Sequence, residues 1–580
     1  MRKKLLCAFL AAIMIMSVVA CGKSAEEEGA APPVTETEVT EEPAEPEEDL
    51  PYDYGLGVTF HSDEPVTYSM FFSDASWYPM TEKWITEGVF AKIKERTNVT
   101  LDVIPYDSND YMQNITLDIN AGESAYIIPK IYDESVFVDG GAIVPVSDYV
   151  QYMPHYQDFV EKYNMQPDLE TIIRSDGKYY RLPGMLEAPM QDYTLMIRND
   201  IFKAAGYDVS TLEKDWTWDD LCDILIGVKE YMVKEGMCSE SDYIWSDLWA
   251  GSESGQGTGG NILNLMGSSY NVRSGWGIGN GMKYDPDTDS WYFSSISDDF
   301  KEFITVANRF VEEGILDPET FTQDDTTATN KFYNGETVII SVNRSQYTAF
   351  ENGLKEIQGE GNYETYVTVY PKGNNEYIAE RNRLECGVML SKRALEELGE
   401  DGFIQLIRFV DWLWYSPEAY TLIKWGVEGE TFEYAEDPET GKQIKKLLPG
   451  FKCSGLGIDG EEDDIDIRLE WGYACGNFWY GHTVEEMSDN FNPVIQDYYA
   501  RLGEYRKTAP IEPPVVPDEE QNEQLNLWAT PLIDNVNSWT LQFIVGQKDI
   551  EKDWDAYVES CKALNVDQMV DLINEIYKGS

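Results

Sequence analysis

A strand, a helix and a second strand follow one another near the start of the sequence, and this order restricts the fold more than any other feature. Residues 65–72, PVTYSMFF, have the apolar, β-branched and aromatic composition of a strand. Residues 81–98 place apolar side chains at helical spacing, and residues 99–105, VTLDVIP, alternate apolar with polar side chains. A helix that connects two strands in this way joins parallel neighbours of one sheet. The sequence therefore predicts an α/β fold that starts with a parallel sheet.

Helices and short strands continue to alternate over the whole length. Residues 297–314 line up apolar side chains on one helical face, with Ser297 as the N-cap and Gly314 at the C-terminal end. Residues 284–293 and 434–447 are typical of β-hairpins with polar turns. Because the sequence contains no internal repeat and no second long linker, we expect two lobes that share crossing strands.

The first residues predict a secretory signal. Basic residues 2–4 precede an apolar run that is shorter than the roughly 20 residues needed to span a bilayer. Residues 18–21, VVAC, resemble the lipobox of bacterial lipoproteins, in which the cysteine carries two acyl chains and becomes the mature N-terminus. We expect residues 1–20 to be a signal peptide and Cys21 to anchor the chain at the extracellular face of the cell membrane. An ordinary secretory signal that happens to contain Cys21 is the alternative.

Residues 25–55 are rich in Glu, Pro and Thr and contain almost no large apolar residue before Leu50. Such a segment cannot bury enough apolar surface to fold, and charge repulsion keeps it extended. We expect residues 21–56 to be a tether that holds a folded module, residues 57–580, away from the membrane. A partner-binding tail is the alternative.

The charge and cysteine content exclude several classes of protein. The net charge of −61 argues against nucleic acid as a partner, because phosphate binding needs clustered Lys and Arg. Six cysteines remain after Cys7 and Cys21, and they are widely spaced without a CxxC pair, which is neither a disulfide framework nor a zinc pattern. One pair, Cys453 with Cys475 across an expected hairpin region, could form a disulfide outside the cell.

Catalytic and metal-binding signatures are scarce. The sequence has three histidines, and it contains no HExxH, no GxSxG and no Walker A loop. Residues 255–261, GQGTGGN, lack the preceding strand and the spacing of a dinucleotide loop, which predicts a flexible loop. Residues 285–289 have calcium-like aspartate spacing but lack the glycine and distal glutamate of an EF-hand, so we interpret them as a hairpin turn. The acidic segment 456–471 is interpreted as a solvated loop, and a cation site is the alternative. We therefore expect no metal and no cofactor.

Aromatic side chains recur in loop-like settings and suggest a binding site. They occur in SDASWYP (73–79), YIWSDLWAG (243–251), YNVRSGWG (270–277) and GNFWYG (476–481). Trp and Tyr faces can stack on the apolar faces of sugar rings, and pockets combine apolar walls with a few polar groups. For each individual tryptophan, packing in the core is the alternative.

Motifs in the second half of the sequence resemble one protein family. They are VEEGILDPETF (311–321), DWLWYSPEAYTLIKWGVEGETFEY (411–434) and the C-terminal run 541–577. Together with residues 193–210 and the Pro- and Glu-rich segment 513–526, they are similar to the extracellular solute-binding proteins of family 1. The resemblance is to the long lipoprotein branch that serves carbohydrate importers, and it covers nearly the whole mature chain.

The resemblance implies a two-lobed, periplasmic-binding-protein-like fold of type II with a hinge and an interlobe ligand cleft. Lobe 1 is expected at residues 57–185 and 345–400, and lobe 2 at residues 190–340 and 405–580. The module would capture a carbohydrate, expected to be an oligosaccharide, and deliver it to the permease subunits of an ABC importer. It would act as a monomer and would not be an enzyme.

One departure from the family pattern and one match to it bear on the ligand site. Where the family has an aspartate-containing run, residues 121–133 place Ser124 and Tyr126, which puts hydroxyl contacts there in doubt. Residues 338–350 resemble a strand that returns to the first lobe and ends at Asn343 and Arg344. We expect Arg344 to be a polar contact for the ligand, which would suit a sugar acid. A surface ion pair of Arg344 is the alternative. The candidate ligand-binding residues are Trp77, Tyr78, Tyr126, Trp249, Tyr270, Arg273, Trp276, Asn343, Arg344 and Trp479.

Three other functions stay open on the sequence. A ligand-sensing receptor could use the same scaffold to present its closed form to a membrane kinase. An oligopeptide-binding protein would have a similar length. A surface glycosidase is compatible with the abundance of carboxylate pairs among 105 acidic residues, although that abundance makes each pair uninformative.

Overall fold

The computed structural model describes residues 54–251, 254–380, 382–436, 441, 443–478 and 481–579. The predicted signal peptide, Cys21, most of the predicted tether and Trp479 lie outside these residues. Among the helices that it describes, none is both long enough and apolar enough to cross a membrane.

The strands are short and are distributed along the whole described chain. They are β1 (Val66–Asp74), β2 (Val99–Asp107), β3 (Ile127–Ile131), β4 (Leu182–Met185), β5 (Thr194–Arg198), β6 (Met282–Asp285), β7 (Ser290–Phe293), β8 (Ile339–Val342), β9 (Thr365–Thr368), β10 (Leu384–Leu390), β11 (Phe432–Glu436), β12 (Gln443–Leu447), β13 (Phe451–Lys452) and β14 (Ile465–Asp466).

Helices alternate with these strands and make up most of the regular structure. They are α1 (Glu82–Thr86), α2 (Val89–Thr97), α3 (Tyr111–Ala121), α4 (Ser135–Asp139), α5 (Pro154–Lys162), α6 (Gln166–Glu170), α7 (Asn199–Ala204), α8 (Val209–Leu212), α9 (Trp218–Lys234), α10 (Gly260–Ser269), α11 (Asp298–Glu312), α12 (Asp325–Tyr333), α13 (Arg344–Gln358), α14 (Lys392–Tyr415), α15 (Pro417–Trp425), α16 (Ile467–Trp471), α17 (Val484–Ser488), α18 (Pro493–Tyr505), α19 (Glu519–Ile544), α20 (Ile550–Ala563) and α21 (Val566–Gly579).

The first sheet has the order β2-β1-β3-β10-β4. Strands β1, β2 and β3 are parallel, and β10 runs antiparallel to both β3 and β4. This confirms the predicted parallel start of the fold. The single helix expected between β1 and β2 is instead divided into α1 and α2 at Gly88, where an added Cβ would lie 2.2 Å from the carbonyl oxygen of Trp471. The close approach of these two backbones admits only glycine at this position.

The second sheet has the order β8-β5-β9, with both outer strands antiparallel to β5. The expectation that residues 338–350 return to the first lobe is therefore wrong, because β8 pairs with β5 from Thr194↔Val342 to Ile197↔Ile339. The helix α13 that follows β8 buries Phe350 and Leu354 in the core around this second sheet. Its apolar face thus fixes the segment in the second lobe.

Two large apolar cores define two lobes. The first lobe, residues 54–185 and 384–478, packs its buried side chains around the first sheet. The second lobe, residues 195–378 and 491–579, packs around the second sheet. These boundaries differ from the expected ones, since residues 347–378 belong to the second core and residues 403–478 to the first. In the described part of the chain, the backbone crosses between lobes after residues 185, 378 and 478, as a shared-strand architecture requires.

Several local predictions are confirmed. The Ser297 hydroxyl accepts a hydrogen bond from the backbone N–H of Phe300 and caps α11. Residues 284–293 and 434–447 contain the hairpins β6–β7 and β11–β12. No disulfide joins Cys453 to Cys475 in the structure. Both residues are free thiols buried in the first core.

Candidate ligand-binding cleft

Two strands of the second sheet have neighbouring ends close to the point where the chain enters the second lobe. In the second sheet, β5 begins at Thr194 opposite the end of β8 at Val342. This pairing places Tyr193, which precedes β5, beside Asn343, which follows β8. Burial raises the pKa of Tyr193, and the nearby side chain of Asn343 opposes that shift. The ends of strands in α/β sheets are where ligands gather. The edge of the second sheet therefore carries both an aromatic ring and polar groups close to the point where the chain enters the second lobe.

A cavity of about 550 Å³ opens between the lobes. Its first-lobe wall includes Tyr132, Arg181 and Glu385, and its second-lobe wall includes Arg273 and the proline-rich segment 510–515. The size lies within the range of about 300–1,000 Å³ that is usual for small-molecule sites. Arg273 forms an ion pair with Glu512, which ties the proline-rich segment to this wall.

Three aromatic rings of the second lobe form one cluster, which we call the aromatic cluster. The ring centroid of Tyr193 lies 5.1 Å from that of Trp249 and 5.2 Å from that of Trp276, both in edge-to-face geometry. The two indoles are 6.1 Å apart. Such edge-to-face pairs hold one another in place and leave other ring faces available for contact.

Arg344 adjoins the aromatic cluster at the start of α13. Its Nε lies 3.4 Å from Oδ2 of Asp192, and its guanidinium lies 5.0 Å from the ring centroid of Phe491. Burial alone would lower the pKa of Arg344, but the carboxylate of Asp192 holds it above its usual value. The side chain remains 25% exposed, and Glu385 and Tyr420, which lie outside the second lobe, also act on its charge.

Two glutamates of the cavity wall have raised pKa values. Burial raises the pKa of Glu380 to about 7, and the neighbouring carboxylates of Glu385 and Asp192 add to this shift. Burial also raises the pKa of Glu385, while the cations Lys130 and Arg344 oppose the shift. The cavity wall thus carries both acidic and basic groups, which suits a ligand with many hydroxyl groups because it supplies both donors and acceptors.

Lys130 is a residue of this region that the sequence predictions missed. It belongs to β3 but has a φ of 63°, a left-handed conformation that is rare for a side chain other than glycine. Its ammonium lies 5.7 Å from the ring centroid of Tyr132. A single lysine within the apolar run IIPKI (127–131) is the signal that could have marked it. Strained backbone of this kind is a recognised feature of functional sites.

The structure brings together only part of the predicted ligand-binding set. Trp249, Trp276, Asn343 and Arg344 lie in or beside the aromatic cluster, and Arg273 lines the cavity. Trp77 is 61% exposed after β1, with its ring 5.7 Å from that of Tyr78. Tyr78 is buried, and the guanidinium of Arg468 lies 4.6 Å from its ring centroid.

Two predicted residues lie elsewhere. Tyr270 is 3% exposed and packs in the second core, so its ring has no face available to a ligand. Tyr126 precedes β3 and donates a hydrogen bond to Glu397, at the end of the first sheet opposite to Tyr132. The length of β3 separates Tyr126 from Tyr132, and Tyr270 at the end of α10 is packed into the second core.

The part of the chain that the structure describes contains no group of three or more His, Cys, Asp and Glu side chains arranged to hold a metal ion. Asp285 and Asp289 instead bond within the β6–β7 hairpin and its surroundings. Asp285 accepts a hydrogen bond from the Thr288 hydroxyl, and Asp289 accepts one from the Tyr284 hydroxyl.

Two α/β lobes, a chain that crosses repeatedly between them and a cavity at the crossing define the class of hinged solute-binding proteins. The chain belongs to the bacterial extracellular solute-binding proteins, and the family model matches residues 88–390. It is 24% identical over 293 residues to the fructooligosaccharide ABC transporter substrate-binding protein FusA of Streptococcus pneumoniae. That match covers 47% of this chain and 49% of the relative, so the chain spans about half the length of the curated relative it matches.

Solved structures show the same fold over most of the chain. The FusA EF-hand mutant of S. pneumoniae in complex with fructo-nystose has a TM-score of 0.61 at 17% identity, covering 88% of this chain and 99% of that one. An HMO-binding, ABC-transporter-associated solute-binding protein from Bifidobacterium longum infantis has a TM-score of 0.65 at 14% identity, covering 89% of this chain and 99% of that one.

Proposed function

We propose that this protein captures an oligosaccharide in the interlobe cleft and delivers it to the permease of an ABC importer. The observation that carries the proposal is the aromatic cluster beside Asn343 and Arg344, at the end of the second sheet. Its rings offer stacking surfaces, and the adjoining amide, guanidinium and carboxylate groups offer hydrogen bonds to sugar hydroxyls. The name of the relative FusA, a fructooligosaccharide ABC transporter substrate-binding protein, supports the same class of ligand.

The proposal includes binding without catalysis. A hinged pair of lobes changes the environment of its solute by closing, and delivery requires recognition of the closed form by the permease. We propose that the protein acts as a monomer and makes or breaks no bond of the sugar. Incubation of the protein with each bound saccharide, followed by chromatography of the sugar, should return it unaltered; cleavage products would favour a glycosidase.

We also propose that Cys21 is diacylated and anchors the protein at the extracellular face of the cell membrane. Support comes from the lipobox-like residues 18–21 and from membership of an extracellular family. Cys21→Ser should release the protein from the membrane fraction, because one acyl-bearing residue is removed while the rest of the chain is kept. Cys7→Ser is the matched control and should leave the membrane-bound fraction as in the wild type.

The decisive experiment for the ligand is a thermal-melt panel of the protein that begins at residue 22. The panel contains kestose, nystose, milk oligosaccharides, uronic-acid oligosaccharides and oligopeptides. A ligand at one hundred times its Kd stabilises the folded state by about 2.7 kcal/mol, which raises the Tm by a degree or more. A rise with one class of saccharide supports the proposal. A flat response to every saccharide with a rise for peptides would overturn the carbohydrate assignment.

A further inference from the structure

Trp249 has a backbone conformation that its side chain disfavours. Its φ is 58°, in the left-handed region, where a bulky residue without glycine's freedom is an outlier. Such strain costs of order 1–3 kcal/mol and persists only when surrounding contacts hold it. The contacts around Trp249 therefore indicate what keeps the residue in place.

Hydrogen bonds hold both sides of the Trp249 backbone. Its N–H donates to Oδ1 of Asp325 at 2.9 Å, and its carbonyl accepts from the N–H of Asn261 at 3.3 Å. Asp325 is the first residue of α12, and the same Oδ1 accepts a 2.7 Å hydrogen bond from the hydroxyl of Ser254. Ser254 in turn accepts, through its carbonyl, a hydrogen bond from the indole N–H of Trp276. The carboxylate of Asp325 thus connects the backbone of Trp249, through Ser254, to the indole of Trp276.

The glycine-rich segment 255–261 completes this support. An added Cβ on Gly260 would lie 1.7 Å from the carbonyl oxygen of Trp249, and one on Gly255 would lie 2.4 Å from that of Ala250. The sequence predicted a flexible loop here, but the glycines instead allow backbone to pack directly against the Trp249 turn. Larger residues would displace that turn, which explains why this segment is rich in glycine.

We propose that Asp325 and Gly260 are positioning residues that hold Trp249 in its left-handed conformation, so that its indole is set in the aromatic cluster before a sugar arrives. This inference rests on the proposed function for the role of the indole as a stacking surface. A ring that is already ordered loses little freedom on binding, so its support contributes to affinity without contacting the ligand.

The test uses the protein labelled with 5-fluorotryptophan and observed by ¹⁹F NMR without ligand, with the Trp249 resonance assigned by Trp249→Phe. Asp325→Ala should shift or broaden this resonance, because the backbone N–H loses its acceptor. Asp325→Asn should keep it near the wild-type position, since an amide oxygen can accept the same two hydrogen bonds. Asp324→Ala is the control, because Asp324 caps α12 through the N–H of Thr327 and makes no contact with Trp249.

Two outcomes would overturn the positioning role: a Trp249 resonance unchanged in Asp325→Ala, or one moved equally by Asp324→Ala. Titration with kestose adds a second readout, with affinity expected to fall about tenfold in Asp325→Ala and to stay near the wild-type value in Asp325→Asn. A loss in Asp325→Ala that Asp325→Asn does not restore would also count against it. If no saccharide binds the wild type, the proposed function fails, while the NMR comparison still decides the positioning of Trp249.

Discussion

Glu380 shows how one side chain of the cleft depends on groups from several parts of the chain. Its carboxyl lies on a segment that crosses between the lobes and faces Glu385 of β10 and Asp192 before β5. Burial and these two negative charges disfavour the ionised form of Glu380. The nearby cations Arg344 and Arg273 already form ion pairs with Asp192 and Glu512, respectively.

Glu380→Gln should stabilise the folded protein at alkaline pH. The pKa of Glu380 rises from 4.5 to about 7 on folding, so its favourable contribution is complete below about pH 4.5 and is lost as the pH rises to about 7. A neutral amide avoids this loss, and the free energy of unfolding of the variant should exceed that of the wild type by up to about 3 kcal/mol at pH 8. Urea unfolding at pH 5 and pH 8 measures the difference.

The control for this prediction is Glu356→Gln, which alters an exposed carboxyl on α13. It should change the unfolding free energy by the same small amount at both pH values. A Glu380→Gln variant whose advantage is equal at pH 5 and pH 8 would show that the carboxyl is not held protonated by its surroundings.

At the scale of elements, a buried carboxylate joins α14 to the N-terminus of α5. Asp411 is 0% exposed and accepts hydrogen bonds from the N–H groups of His155, at 3.1 Å, and Tyr156, at 2.8 Å. It also accepts a hydrogen bond of 2.6 Å from the hydroxyl of Tyr54. The first N–H groups of a helix have no partner within the helix, so this carboxylate caps α5 from a distant segment.

Asp411→Ala should lower the free energy of unfolding by about 3 kcal/mol, because several buried donors lose their common acceptor. Asp401→Ala alters an exposed carboxylate of the same helix and should change stability by less than about 0.5 kcal/mol. Chemical denaturation of both variants provides the comparison. Equal stability of the two would mean that water replaces the carboxylate at the end of α5.

At the scale of the whole molecule, the lobes touch directly at one side of the cleft. Nδ2 of Asn352 on α13 in the second lobe donates to Oδ2 of Asp459 in the first lobe at 2.9 Å. The hydroxyl of Thr348 lies 3.5 Å from the carbonyl oxygen of Gly457 in the same pair of segments. The acidic segment 456–471 thus contributes a carboxylate to contact between the lobes. Contacts of this kind favour the conformation in which they form.

Asn352→Ala should speed ligand release, because one exposed hydrogen bond that holds the two lobes together is removed. A net value near 0.5 kcal/mol corresponds to an increase of about twofold in the dissociation rate. Asn352→Lys should slow release, since its ammonium would face the carboxylate of Asp459. Stopped-flow tryptophan fluorescence with the saccharide found in the melt panel gives both rates.

Asn362→Ala is the matched control for this contact. Asn362 is exposed and bonds the carbonyl of Gln358 within the second lobe, so its loss should leave the dissociation rate unchanged. Identical rates for Asn352→Ala, Asn352→Lys and the wild type would show that this contact does not influence closure.

Local chemistry in the sequence was sufficient to predict the elements. The alternation of β1 and β2, the Ser297 cap of α11 and both hairpins depend on residues a few positions apart, and all are present in the structure. The motifs at 311–321 and 411–434 also indicated the family, because they mark turns and helix ends of a shared scaffold.

Only the tertiary structure decided which elements join which lobe and which side chains meet in the cleft. Strand β8 pairs with β5 although more than a hundred residues separate them, and Glu380 acquires its raised pKa from Glu385 and Asp192. The propensities of a segment determine its helix or strand, but not its neighbours. Pairing, burial and electrostatic environment arise from contacts between distant segments, so they exist only once the chain has packed.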